Sequence, residues 1–479
     1  MDIFLSLLEM KDASKFEIGF ANEDIMPDWA KYKTKMGGYI RWRKYVSGVL
    51  DPLIAHAICI RHKTDLNRSM ILISADLVGI QWRLSHLARQ KISEVTGIPM
   101  SNILIHVTHS HSTPDAIGIF PVTIYNDAFF LDVQRHTAHA VIKGLAKAGI
   151  RAFRGANRSF LMGFGETKEL TNFISVQRRP PYETLSEPIR FLKITDLQGH
   201  LLALLINYQG HPTQLPQINT KMSAEYPGQV VRAAFETFPD LEFATYFNGF
   251  CGDVSIKGYT RFLQHYHAGL SKDEAMEKAM EGLYELGMEI NSKIKEVLST
   301  VPVEPLETLE CLSRPILVKV GGTKPLKPRL KYYPTFVSKI NAFIKDFKAN
   351  LTFYALYRVL SFFRKDDFSL LRVIKDGFRL YHHTQYQVFK LNDFVIVGSP
   401  GEPFLKYQRY LDLHIPSKKR FFIEMANDTM GYIYPWTFHV QGGYEKTFGI
   451  DSTLGSRMFT RIARDLLKIF ALSKSESKI

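Results

Sequence analysis

Histidine is the side chain best suited to chemistry near neutral pH, and His109 and His111 sit together in Thr108-His-Ser-His-Ser-Thr-Pro114. The apolar residues before them read as a strand, so the pair falls at a strand end. If the chain stays extended there, residues two apart point to the same side and both imidazoles enter one site. One can ligate a metal while the other handles protons beside it; a hydrogen-bonded turn is the plainer reading. His106, further back in the strand, reads as a satisfied core residue.

Other chemistry-bearing side chains recur in the same setting. Asn207-Tyr-Gln-Gly-His-Pro-Thr213 delivers His211 from an apolar strand into a Gly/Pro turn. Asn248-Gly-Phe-Cys-Gly-Asp-Val-Ser255 puts Asp253 and Ser255 at a loop tip, and does not meet the Gly-x-Ser-x-Gly pattern of a serine-hydrolase elbow. Gly398-Ser-Pro-Gly-Glu-Pro403 holds Glu402 between glycine and proline, while Tyr432 and Tyr444 lie in glycine-rich loops. Each alone has an ordinary structural reading. In an α/β fold, however, loops after strands can converge on one rim. Two histidines, a glutamate and a tyrosine would then complete a zinc site, with ligands at about 2.0–2.2 Å and a bound water whose pKa falls to about 7.

The elements that must position these residues alternate. Ala55–Ile60, Met70–Ala75, Asn102–Thr108, Leu201–Tyr208, Ala244–Phe247, Gln387–Leu391, Phe394–Gly398 and Arg420–Met425 read as strands. Phe191–Thr195 joins Leu201–Tyr208 as a hairpin across an Asp/Gly turn. Gln81–Thr96, Ala128–Ala148, Pro227–Thr237, Lys272–Leu298 and Thr453–Leu472 read as helices, with Gly149 as a stop. Hairpins among crossovers predict an α/β fold of mixed sheets flanked by helices.

With 46% hydrophobic and 23% charged residues, the 479-residue chain is globular rather than disordered or fibrous. No apolar run reaches the roughly 18 residues of a membrane span. Three scattered cysteines exclude a disulfide scaffold. The start MDIFLSLLEMKDASK has no basic n-region, so no secretory signal is expected and the protein reads as cytoplasmic or peripheral to a membrane. The net charge of +14 is concentrated: Lys324–Leu380 has thirteen Lys and Arg against four Asp, a net of +9. There Ile340, Phe343, Ile344, Phe347 and Leu351 recur at helical spacing among lysines, which suits a bilayer surface or a helical cap over a core. No nucleic-acid module accompanies the charge, so nucleic acid is not an expected partner.

Taken in order, IGFANEDIMP, GVLDPLIAHAICI, ISADLVGI, THSHSTP, GHPT, NGFCGDVS, SPGEPF and NDTMGYIYP resemble the catalytic domain of neutral ceramidases from about Phe16 to Leu472. Tyr432 also precedes Tyr444 by the twelve positions of the family pattern. Those proteins are zinc amidases that split ceramide into sphingosine and a fatty acid. The resemblance implies a single catalytic domain over 1–479, with 321–380 as a basic, aromatic helical insertion and without the C-terminal immunoglobulin-like domain. It implies zinc ligands at His109, His211, Glu402 and Tyr432, the second histidine at His111, and a substrate-site arginine at Arg178. It also implies an active-site serine at Ser255 and a later tyrosine at Tyr444.

The chain departs from the family at Glu225, where Asp is usual, at Gln177 for Asn before the arginine, and at Ile256-Lys257 for Pro-Asn after the serine. Asn157-Arg158 is a second place where the arginine motif can fall. The implied reaction is zinc-assisted attack of water on a lipid amide carbonyl. Tyr444 and Arg178 would face the oxyanion, His111 would shuttle the proton, and Ser255 would position substrate or relay a proton. Three alternatives stay open: a direct serine nucleophile, a hydrolase of the same fold acting on a non-sphingoid amide or ester, and a non-catalytic lipid-binding relative.

Overall fold

The computed structural model describes residues 15–40, 44–118, 133–167, 170–178, 183–257, 261–320, 380–435, 438, 445 and 452–476. The proposed insertion over 321–380 (save Leu380, which begins a strand) and the expected catalytic Tyr444 lie outside them.

The first sheet has the order β1 (Phe16–Asp24), β2 (Ile54–His62), β3 (Met70–Ala75), β4 (Ile103–Val107), with β3 and β4 parallel. Helices α1 (Trp82–Thr96) and α2 (Arg135–Arg154) cover one face. Both parallel strands are buried throughout, which is why MILISA and ILIHV are apolar at all but one position each rather than alternating, and the two exceptions, Ser74 and His106, bond to each other at 2.9 Å. Ile71, Ile73, Ile103 and Ile105 point to the helices, while Leu72 and Leu104 point to the opposite core, as the two-residue strand period requires.

The chain continues through β5 (Leu161–Glu166), β6 (Ile174–Gln177), β7 (Arg190–Thr195), β8 (Leu201–Tyr208), α3 (Glu225–Thr237), β9 (Phe243–Asn248), β10 (Val254–Lys257) and the 27-residue α4 (Lys272–Leu298). Strands β9, β8, β7 and β5 form the second sheet in that order, with β8 and β9 parallel and the short strand Glu304–Pro305 as a fifth at the β5 edge. Leu204, Ile206 and Tyr208 pack on α3 and α4, while Ala203 and Leu205 face the first sheet. A capping box between Ser271 and Glu274 fixes the start of α4.

The third sheet has the order β11 (Leu309–Val320), β12 (Leu380–Leu391), β13 (Phe394–Gly398), then β15 (Arg420–Ile423). Strand β13 runs parallel to β15, and α5 (Leu405–His414) and α6 (Ser452–Glu476) lie on its outer face. Between β13 and α5, β14 (Glu402–Pro403) pairs in parallel with β16 (Tyr432–Ile433). The result is sheets packed on a shared apolar core, with helices outside. Among the described residues no helix is long and apolar enough to cross a membrane.

One sequence expectation needs correcting. Helix α2 does not stop at Gly149 but runs to Arg154, with Gly155 as its cap. Gly149 is a packing residue: a Cβ there would sit 2.7 Å from Ile92 Cδ1 and 3.3 Å from Ile73 Cδ1, so glycine lets α2 lie close on α1 and β3.

Candidate metal centre

The loops that carry the candidate residues follow β4, β8, β9, β13 and β15, each at the C-terminal end of a strand that has a parallel neighbour. In open α/β sheets this is the end where crevices form.

The loop after β4 is not extended. Strand β4 ends at Val107, and His109 has a φ of +65°, a left-handed conformation that is uncommon outside glycine. His109 and His111 are therefore brought together by a turn, and the extended-chain expectation is overturned. The hydroxyls of the motif build that turn. Ser110 Oγ donates to Ser223 O (2.7 Å), Ser112 Oγ to Glu225 Oε1 (2.9 Å) and Thr113 Oγ1 to Ser110 O (3.2 Å). Thr113 Oγ1 also accepts from Val78 N (2.8 Å). The next loop is tied on by His111 N donating to Pro212 O (3.2 Å) and His211 N to Val254 O (3.1 Å).

Three nitrogens and a carboxylate oxygen converge. His109 Nε2 lies 3.2 Å from His211 Nε2, 3.4 Å from His111 Nε2 and 3.2 Å from Glu402 Oε2. Ligands placed about 2.0–2.1 Å from a tetrahedral ion stand roughly 3.3–3.4 Å from one another, so the spacing fits. Such a convergence of acceptor nitrogens is hard to maintain without a cation or a shared proton between them. The donor set of imidazole and carboxylate suits zinc, and the three buried or half-buried histidines can hold a metal ion.

The outer nitrogens distinguish the three rings. His109 Nδ1 is bonded to Val78 O, which turns Nε2 inward towards the other donors. His211 Nδ1 faces Cys251, whose Sγ is 4.0 Å away. His111 Nδ1 is buried with no hydrogen-bond partner among the described residues. A ligating histidine ordinarily has its second nitrogen fixed, so His109 and His211 carry the mark of ligands and His111 does not.

Glu402 and Tyr432 arrive together. They are register partners of β14 and β16, and Glu402 N donates to Gly431 O (2.9 Å). Gly401, with a φ of +73°, permits this approach, since a Cβ there would lie 2.5 Å from Gly431 O. The Tyr432 ring stacks on His211 at 14° with centroids 6.4 Å apart. Glu402 Oε2 is buried and accepts no hydrogen bond among the described residues, leaving it directed at His109.

Charge is distributed unevenly. Burial disfavours a charge on His109, but the adjoining Glu402 carboxylate, with Glu424 behind it, outweighs this and raises the pKa. Burial, assisted by charge on His109, Arg178 and Lys44, holds His111 well below its ordinary value. His211 is lowered likewise, by burial and then Arg178. The Arg178 guanidinium is thus near enough for its charge to be felt at both His111 and His211. Its backbone N donates to Asp253 O (2.7 Å) and its guanidinium to Gly252 O. The rival Arg158 instead donates from Nη1 to both carboxylate oxygens of Glu242, each at 2.9 Å. Ser255 is half-buried on β10, next to the Val254 carbonyl that anchors His211. His106 is a core residue, bonded to Ser74 Oγ and to Asn248 N.

Several supporting residues escaped the sequence reading. Glu424 accepts from Cys251 N and Cys251 Sγ, both at 2.9 Å, and burial pushes its carboxyl up to about 7. Glu225 takes Ser112 Oγ on one oxygen and the backbone N–H groups of Gln214 (2.8 Å) and Leu215 (3.2 Å) on the other. It therefore clamps the His111 loop to the His211 loop. Tyr39 packs against His111, with ring centroids 4.9 Å apart. A buried acid at the end of an element, like Glu225 at the start of α3 or Glu424 just after β15, has no periodic signal, and only the Asp-to-Glu departure at Glu225 pointed to one of these.

No family model matches the chain, and no curated protein matches it. Solved structures do. A ceramidase complexed with C2 aligns over 95% of this chain and 75% of its own, with a TM-score of 0.68 and 15% identity. A neutral ceramidase from Pseudomonas aeruginosa aligns over 95% and 74%, with a TM-score of 0.66 and 16% identity. The architecture is a mixed α/β fold with a histidine-rich centre at strand ends. More particularly, it is the fold of the neutral ceramidases.

Proposed function

We propose that the chain is a zinc-dependent amidohydrolase that cleaves the N-acyl bond of ceramide or a related lipid amide, giving a fatty acid and an amine. The observation that supports this most is the meeting of His109 Nε2, His211 Nε2 and Glu402 Oε2 within 3.2 Å contacts, on a fold shared with ceramidases. His109, His211, Glu402 and Tyr432 would hold the ion. Zinc bound there would supply Lewis-acid activation of water and of the amide carbonyl.

The chain's own residues supply the remainder. His111, kept neutral by burial and by neighbouring cations, is able to accept a proton at the centre and return it to the departing amine, which is a poor leaving group unless protonated. Arg178, whose charge is felt at both His111 and His211, would stabilise negative charge developing on the carbonyl oxygen, with Tyr444 as its partner in that role. Ser255, on the strand whose Val254 carbonyl anchors His211, would position substrate or relay a proton. A lipid amide as substrate entails contact with a membrane surface, to which the segment 324–380 would contribute.

The test is an assay of purified protein against ceramide, N-acyl amino acids and simple esters. Release of fatty acid from ceramide, lost in Glu402→Ala, is expected. Ester cleavage without ceramide turnover would replace the sphingoid substrate, and no turnover of any of them would remove the hydrolase.

A further inference from the structure

A groove on the outer surface, between α1 and α2, shares no residue with the histidine centre. It encloses about 640 Å³, and its floor is apolar: Leu87 and Val95 from α1, Ile142, Ala146 and Ile150 from α2. Val95, in that apolar strip, is 53% exposed. Lys91, Lys143, Lys147, Arg151 and Arg154 line the same groove.

The charge pattern is one-sided. Helix α2 carries five Lys and Arg over its twenty residues and no Asp or Glu. Lys143, Lys147, Arg151 and Arg154 recur at helical spacing along about 16 Å of axis. Glu23 pairs with Lys147 (2.7 Å) and Arg151, whereas Lys91, Lys143 and Arg154 have no ion pair among the described residues. Long cationic side chains bordering an apolar strip suit the boundary between headgroups and acyl chains, where stems stay in apolar surroundings and charges meet anions.

We propose that this groove docks the protein on a bilayer surface containing anionic phospholipid. A single carboxylate, as in a free fatty acid, would satisfy one or two of these cations; a row spread over the length of α2 matches a surface bearing several anions. The docking does not rest on the hydrolase reading and is measured without turnover.

The experiment is co-sedimentation of the full chain with phosphatidylcholine vesicles, with and without phosphatidylserine. Binding is expected only with phosphatidylserine and weakens as salt is added. The double variant Lys91→Glu/Lys143→Glu lowers affinity at least about 25-fold, each lysine near an anionic leaflet being worth about five-fold. Both positions are exposed, so its unfolding curve stays that of the wild type. A Val95→Trp variant reports independently, its emission shifting to the blue on the same vesicles. Undiminished binding by the double variant would assign docking to another part of the chain and overturn the proposal, as would an unmoved Trp emission. Retention of a soluble acidic peptide without vesicle binding would also overturn it.

Discussion

Glu402 and Tyr432 are cross-strand neighbours in the two-stranded parallel sheet of β14 and β16, so a single backbone pairing sets two of the four expected zinc ligands. The histidine pair is set separately, by the turn after β4 and the loop after β8. Substitutions should therefore fall into two grades. His109→Ala, His211→Ala or Glu402→Ala removes a converging donor and is expected to abolish stoichiometric zinc. Tyr432→Phe keeps the stacking on His211 and loses only the phenol oxygen, so zinc affinity drops while the protein remains folded. Calorimetric zinc titration reads both, and unchanged affinity in Tyr432→Phe would remove that residue from the ligand set.

His111 differs from its neighbours in having an outer nitrogen with no hydrogen-bond partner among the described residues. Replacing it with Ala should leave one zinc per chain in place while lipid amide turnover drops by about 10²–10⁴-fold, the usual worth of a positioned acid–base group. Loss of the metal along with activity would make His111 a ligand instead.

Glu225 holds three donors, and its removal leaves Ser112 Oγ and the backbone N–H groups of Gln214 and Leu215 buried without their acceptor. Glu225→Ala is expected to cost about 2–4 kcal/mol in urea unfolding and to weaken zinc binding through the loosened His111 and His211 loops. A variant as stable as the wild type would show that the clamp is dispensable.

Asp76 gives a pH prediction. Burial pushes its carboxyl up to about 8, even though Ile54 N donates to it at 3.0 Å. In the unfolded chain the same group titrates near about 4. Between these values the folded protein holds a proton that the unfolded chain has lost, so this group's contribution to stability falls as pH rises through that window, by up to about 1.4 kcal/mol per unit. Asp76→Asn removes the titration, and its advantage over wild type grows from about pH 4 to 8. Urea midpoints that run parallel for the two proteins would contradict this.

The sequence showed most where one physical rule dominates. Strands β3, β4 and β13 are buried on both faces, and their nearly continuous apolar runs marked them. Helix α4 was legible end to end because its cap and its apolar period agree. Strand β11 was missed because it is a sheet edge, where Arg314, Pro315 and an exposed Leu317 break the apolar pattern. Gly149 was misread because glycine serves close helix packing as readily as termination. At the site, the residue types and order were readable, but the left-handed His109 and the buried partners Glu424 and Cys251 were not. Those depend on contacts between loops far apart in sequence.

The most direct test of the central claim is to strip the protein with a chelator and follow fatty acid release from ceramide as zinc is added back. The account predicts no release from stripped protein, a linear return, and a plateau at one equivalent of zinc per chain, with Glu402→Ala flat throughout. Full turnover in the stripped protein, or none at any zinc concentration, would contradict it.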